Sequence, residues 1–171
     1  MVKNTVVIPM DGSADSIRIL PTVQKLLPPA QNRLILLRVC VDSQGLVGTP
    51  MSSPAIGADV VMYATPQEAV RAKHPIYATQ IQESQRAEVL VEMKETLHRL
   101  ENLGYEVTLE VTFGEPAKEI INFVTLTAVD LVAMITHGRS GLGKMFFGNV
   151  AEELIHRANV PVLLLRPTPQ Y

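Results

Sequence analysis

Five short apolar runs, each typical of a buried β-strand, alternate along the chain with segments that carry helical signals. The run "RLILLRVCV", residues 33–41, is apolar almost throughout, as expected of a parallel strand that is covered on both faces. Because strands and helices alternate, the sequence predicts a doubly wound α/β domain with helices on both faces of a five-stranded parallel sheet. The other strand candidates are "TVVIP" at 5–9, "YEVTLEV" at 105–111, "DLVAMIT" at 130–136 and "VPVLLLR" at 160–166.

The first two long helical segments contain residues that typically start, kink or end a helix. In "SADSIRILPTVQKLL", residues 13–27, Ser13 is a possible N-cap and Pro21 is expected to kink the helix. A long helix is predicted over residues 76–103, with Gly104 as its C-terminal stop.

The two later helices have clear starts. Pro116 opens the helix in "GEPAKEIINFVTLTA", where a missing N–H is tolerated in the first turn. Asn149, three residues before Glu152, predicts an N-cap with its capping-box partner for the last helix. Residues 42–75 have no clean period, with a helix possible at 65–72, and form either a functional insertion or a surface segment without a role.

The composition narrows the class of protein. The 171 residues are 47% hydrophobic and 19% charged, which excludes a disordered chain. The net charge of −2 does not show the excess of positive charge that is typical of nucleic-acid-binding proteins. No apolar run approaches the roughly 20 residues of a membrane span, and no signal-peptide core precedes the first strand, so we expect a cytoplasmic protein. The single Cys40 is expected to pack in the core, and the four histidines show no metal-ligand spacing.

The stretch "HGRSGLGKMFFGN", residues 137–149, contains Gly-x-x-x-x-Gly-Lys, most of a phosphate-binding P-loop. Met145 occupies the position where a P-loop needs the Ser or Thr hydroxyl that holds Mg²⁺. A helix starting at Lys144 would also carry Gly148 in its first two turns, where glycine is unfavourable. We therefore interpret residues 138–148 as a different phosphate loop, bounded by a glycine at each end and closed by a helix N-terminus.

The stretch "MITHGRSGLGKMFFGNVAEEL", followed by "VPVLLLR", resembles the universal stress protein family. Its ATP-binding members carry Gly-x-x-Gly-x9-Gly-Ser/Thr, and Gly138 and Gly148 match the second and third glycines with nine residues between them. Ile135 replaces the first glycine and Asn149 replaces the Ser or Thr. If Ile135 faces the nucleotide it narrows the site, whereas if it points into the core nothing is lost.

The resemblance extends over nearly the whole chain and implies strand order 3-2-1-4-5. It also implies that Asp11 meets the nucleoside, although a helix cap is the alternative, and that Val39 recognises adenine through its backbone. Arg139 is favoured over Lys144 as the cation near phosphate, while His137 either donates to phosphate or packs. The implied nucleotide-binding residues are Pro9, Met10, Asp11, Val39, Met134, Thr136, His137, Gly138, Arg139, Gly148, Asn149 and Val150.

The function implied is an adenine-nucleotide-binding stress regulator that holds ATP, AMP or ADP and is non-catalytic or hydrolyses ATP slowly. Mg²⁺ is expected only with the nucleotide. One alternative is a nucleotide-free interaction module. A less favoured one is an ATP pyrophosphatase-like ligase, whose Ser-Gly-Gly-x-Asp-Ser is matched only in part by "DGSADS", residues 11–16. The apolar edge strand at 160–166 predicts a homodimer, because exposed edges are usually covered.

Overall fold

The computed structural model describes residues 2–40, 75–136 and 148–166. Within these ranges, five parallel strands form one sheet in the order β3-β2-β1-β4-β5. The predicted α/β class and the order 3-2-1-4-5 are thus confirmed. The strands are β1 (Asn4–Met10), β2 (Asn32–Cys40), β3 (Glu106–Phe113), β4 (Leu131–Ile135) and β5 (Val162–Leu165).

A helix lies between each pair of successive strands along the chain, and the helices cover both faces of the sheet. A 3-10 turn at Ser16–Ile19 leads directly into the first α-helix. The helices are α1 (Leu20–Leu26), α2 (Pro75–Asn102), α3 (Pro116–Leu126) and α4 (Asn149–Arg157). Residues 41–74, which hold nearly all of the predicted insertion, lie outside the described residues, and Pro75 begins α2.

The strand side chains divide into two apolar clusters, one on each face, because successive residues of a strand point to opposite sides. In β2, Leu34 and Leu36 join the cluster beneath α1 and α2, whereas Ile35 and Leu37 join the cluster beneath α3 and α4. Each buried side chain of this kind contributes about 1.5–3 kcal/mol. We call these the α1/α2 core and the α3/α4 core.

The edge strand β3 differs from β2 because only one of its faces is covered. Val111 is buried and Leu109 packs against the α1/α2 core, while Thr108 and Glu110 on the other face are exposed. The alternating sequence of this strand therefore reflects its position at the edge, as the continuous run of β2 reflects burial on both sides.

The helix predicted from Ser13 begins differently. The N-cap of the 3-10 turn is Asp15, and the Ser13 hydroxyl, two residues earlier, accepts a hydrogen bond from the Ser16 N–H at 3.2 Å. The kink expected at Pro21 is wrong, because Pro21 stands in the first turn of α1, where its missing N–H costs no helical bond.

The long helix α2 ends as predicted. Gly104 takes a left-handed φ of 89° just beyond it, a conformation that glycine adopts without the steric cost of a Cβ. The following residue, Tyr105, donates its hydroxyl to the Leu27 carbonyl at 2.7 Å, and burial raises the pKa of this phenol. This bond ties the entry of β3 to the end of α1. No helix in the part of the chain that the structure describes is long and apolar enough to cross a membrane.

Candidate functional site

The sheet opens between β1 and β4 at the carboxyl ends of these strands. The β1–β2 ladder covers seven residue pairs, from Asn4↔Asn32 to Met10↔Arg38. The β1–β4 ladder covers only Val6↔Leu131 and Val7↔Val132, although both strands continue beyond them. Since the strand order reverses at β1, this opening is the switch-point crevice in which α/β sheets bind ligands.

The amino ends of the same two strands are held together by Asp130. Its carboxylate accepts the Thr5 N–H at 2.7 Å, and its own N–H donates to the Thr5 carbonyl at 2.9 Å. The two strands are thus joined by hydrogen bonds at their amino ends, whereas their ladder stops after Val7 and Val132.

Asp11 lies on the β1 side of the crevice, in a tight turn. One carboxylate oxygen, Oδ1, accepts hydrogen bonds from the Ser13 N–H at 2.9 Å and from the Ser13 hydroxyl at 2.6 Å. Gly12 between them has a left-handed φ of 83°. This is an Asx-turn, in which Asp11 orders the backbone locally while its side chain remains solvent-exposed.

The predicted residues of the strands fall on different faces. Val39 and Met134 pack in the α3/α4 core, with Met134 8% exposed, whereas Met10 is buried in the α1/α2 core. Thr136 is buried just past β4, and its N–H donates to the Leu165 carbonyl at 3.0 Å. Pro9 is half-buried, one residue before the end of β1.

One prediction is wrong at the start of α4, the helix that follows β4 in the chain. The helix begins at Asn149, so its N-cap is Gly148 and Asn149 cannot form the predicted capping box with Glu152. Gly148 has extended backbone, φ −58° and ψ 153°, and its carbonyl accepts the Glu152 N–H at 3.0 Å. The N–H groups of the first turn, including that of Val150, have no intrahelical acceptor and suit an anion.

Ile135, which replaces the first glycine of the family pattern, points into the protein. It is 6% exposed and packs in the α1/α2 core, on the opposite face from its neighbour Met134. The sequence left open whether Ile135 faces the nucleotide or points into the core. The structure places its side chain in the core, away from Val39 and Met134.

Three predicted residues, His137, Gly138 and Arg139, lie outside the described residues, as does Lys144. Of the predicted residues that the structure describes, Pro9 and Val39 lie near the carboxyl ends of β1 and β2, Asp11 and Thr136 directly follow β1 and β4, and Gly148 precedes α4. Within the described ranges, no group of three or more His, Cys, Asp or Glu side chains could hold a metal ion.

The sequence analysis missed Arg38 and Gly12. The guanidinium of Arg38 lies against Gly12, directly behind the Asp11 turn, and its Nη2 is 3.9 Å from Glu92 Oε2 on α2. The available signal was a charged residue in the interior of the apolar run of β2, beyond Arg33 at its start, which is unusual for a strand that is buried on both faces.

Comparisons with known proteins agree with this architecture. The sequence model of the universal stress protein family matches residues 3–166. Universal stress protein MJ0531 of Methanocaldococcus jannaschii is 35% identical over 74 residues, which cover 43% of this chain and 44% of that protein. The chain thus spans about half, or less, of the length of the curated relatives it matches.

Solved structures match over almost the full chain. Protein MJ0577 of the same archaeon superposes with a TM-score of 0.70 at 20% identity, covering 99% of this chain and 100% of that one. A universal stress protein family member of Arabidopsis thaliana with AMP bound gives a TM-score of 0.60 at 16% identity, covering 96% and 92%. At these identities the likeness establishes the fold.

The placement of Ile135 gives a first prediction. Ile135→Ala removes buried methyl groups from the α1/α2 core and should lower the free energy of unfolding by about 2–4 kcal/mol. Ile135→Val should cost about 1 kcal/mol. Urea denaturation of both variants measures the difference. A fully stable Ile135→Ala protein would mean that the side chain lies in the crevice instead.

Proposed function

The chain belongs to the universal stress protein family, and from the geometry of its crevice we propose that it binds an adenine nucleotide, with ATP as the expected ligand. The observation that carries the proposal is the end of the β1–β4 ladder at Val7 and Val132, at the switch point of the sheet, where the Asp11 turn follows β1. A carboxylate can accept hydrogen bonds from hydroxyl groups, and the free N–H groups at the start of α4 suit phosphate.

In this proposal each side of the crevice binds a different part of the nucleotide. Asp11 accepts hydrogen bonds from the ribose, the backbone of Val39 pairs with adenine, and the Gly148 end of α4 donates to phosphate. Gly138 and Arg139 complete the phosphate loop. The AMP-bound relative from Arabidopsis thaliana supports the ligand class. Mg²⁺ would be bound only together with the phosphates of the nucleotide.

We further propose that the protein is a cytoplasmic stress regulator that responds to nucleotide occupancy, without catalysis or with slow hydrolysis. Among the described crevice residues, Asp11 is engaged with Ser13, and no nucleophile–base pair accompanies it. The burial of Ile135 favours a working nucleotide site over the nucleotide-free interaction module, because the residue that would close the site lies in the core.

The proposed homodimer forms through β5. The carbonyls of Pro161 and Leu165 accept N–H groups from β4, so alternation along a parallel strand directs the peptide groups of Val162 and Leu164 to the open edge. All four β5 residues are half-buried in the single chain. Pairing with β5 of a second copy would satisfy the edge and cover these apolar side chains.

Nucleotide binding is tested at Gly148, where an added Cβ meets no described atom within 4 Å. Gly148→Ala should cost about 1 kcal/mol or less of stability through a poorer cap, and should weaken ATP binding roughly tenfold if the backbone approaches phosphate. Calorimetric titration with ATP and AMP measures this, and ATP should bind the parent more tightly.

The matched control is Gly104→Ala, far from the crevice, which introduces a left-handed alanine at a cost of about 1–2 kcal/mol. It should leave ATP affinity unchanged. If neither ATP nor AMP gives heat with the parent chain, the proposal fails and the nucleotide-free interaction module replaces it. Equal ATP affinity in Gly148→Ala and the parent would show that phosphate lies elsewhere.

The regulatory role is separated from an enzymatic one by turnover. With saturating ATP and Mg²⁺, we expect release of phosphate or pyrophosphate below about one event per minute, far under the usual enzymatic range. Both products are followed by a coupled colorimetric assay, with denatured protein as the blank. Rapid pyrophosphate release would favour the ligase alternative.

Dimerisation is tested by light scattering at micromolar concentration, where the parent should have twice the chain mass. Leu164→Pro removes an N–H from the open edge and should give a monomer. Leu164→Ala, which loses the same packing but retains the N–H, should remain a dimer. A monomeric parent would refute the β5 interface.

A further inference from the structure

Arg38 occupies a position in the sheet that otherwise holds apolar side chains. It lies near the carboxyl end of β2 on the face of Leu34, Leu36 and Cys40, which pack in or against the α1/α2 core. Its side chain is 18% exposed. Burying a guanidinium is costly unless its charge and donors are satisfied, so its presence here needs a cause.

Internal pairing does not account for the charge. Nη2 is 3.9 Å from Glu92 Oε2, at the long limit of an ion pair, and the Glu92 side chain is 45% exposed. Nη1 is buried and makes no hydrogen bond to any residue that the structure describes. A buried donor without an acceptor destabilises the fold, and an apolar residue of similar size at this position would give a more stable protein.

The guanidinium packs on the backbone of the Asp11 turn. A Cβ placed on Gly12 would lie only 2.1 Å from Nη1, 2.2 Å from Nη2 and 2.5 Å from Cζ of Arg38. Gly12 is therefore required twice, for its left-handed φ of 83° and for the close approach of the guanidinium. Arg38 closes the side of the turn that faces α2.

We propose that Arg38 is a positioning residue. Its guanidinium holds the Asp11 turn at Gly12, so that the Asp11 carboxylate is presented to the ribose of the nucleotide. The inference rests on the proposed function, since it assigns Arg38 a role in that same crevice. The flat guanidinium packs against Gly12 and blocks rearrangement of the turn on its α2 side, which keeps the Asp11 carboxylate in one orientation as a hydrogen-bond acceptor.

A double-mutant cycle tests the action of Arg38 through Asp11. Arg38→Met retains most of the side-chain bulk and removes the charge, and Asp11→Asn weakens the acceptor. Each single variant should bind ATP roughly tenfold more weakly, the effect of a lost charge-assisted hydrogen bond. The double variant should bind no more weakly than Asp11→Asn, because residues that act as a unit are not additive.

The second readout is the preference for ribose hydroxyls, which a merely structural role would not change. The parent should bind ATP about tenfold more tightly than 2′,3′-dideoxy-ATP, and this ratio should fall towards one in Arg38→Met. Glu92→Gln, at a half-exposed helix position that tolerates substitution, should lower the ratio in the same direction. It also provides the test if Arg38→Met does not fold.

The matched control is Arg33→Met, at the amino end of the same strand, where Arg33 Nε donates to the Thr5 hydroxyl at 2.8 Å. It should leave both affinities unchanged. Parent-like binding by Arg38→Met, additive losses in the cycle, or an unchanged ratio in Glu92→Gln would overturn the inference while leaving nucleotide binding intact. Absence of ATP binding by the parent would overturn the proposed function and this inference with it.

Discussion

Burial of the inner strands of the sheet on both faces is the constraint on which the rest of the structure depends. Neighbouring residues of these strands, such as Leu34 and Ile35, enter different cores, so almost every position in the middle of an inner strand is apolar. In the inner strands, polar chemistry is thereby confined to the strand ends and the turns that follow them. Arg38 is the exception within β2, and it lies two residues before the end of the strand, against the Gly12 turn.

The two ends of the β1–β4 pair show how this constraint produces a site. At the amino end, Asp130 bonds to both backbone groups of Thr5 and closes the sheet. At the carboxyl end no such residue spans the gap among the described residues, and the ladder stops after Val7 and Val132. The crevice is therefore a consequence of strand order and of where the ladder ends, and specificity must come from the turns around it.

Much of the fold followed from the sequence because its signals are local. The apolar runs predicted the five strands, and Gly104 and Pro116 predicted a helix end and a helix start. Asn149 was misassigned as the cap because Gly148 and Asn149 are both acceptable there, and only the carbonyl bond to Glu152 distinguishes them. The contact of Arg38 with Gly12 joins residues on two different elements, and no local pattern in one sequence reports such a contact.

The alternation of side chains also explains how the chain can depart from the family pattern without losing the crevice. A glycine at position 135 would place no side chain in the α1/α2 core, whereas Ile135 packs there, and Met134 and Val39 belong to the α3/α4 core on the other face. The replacement therefore adds buried apolar volume on the face away from the proposed adenine site. The same alternation of side chains places Arg38 on the face of the sheet where Ile135 lies, behind the Asp11 turn, and places Val39 on the face of the α3/α4 core. Both faces of the sheet are thus occupied by packed cores, the Asp11 turn is supported from the α1/α2 side, and the ligand is left the carboxyl ends of the strands.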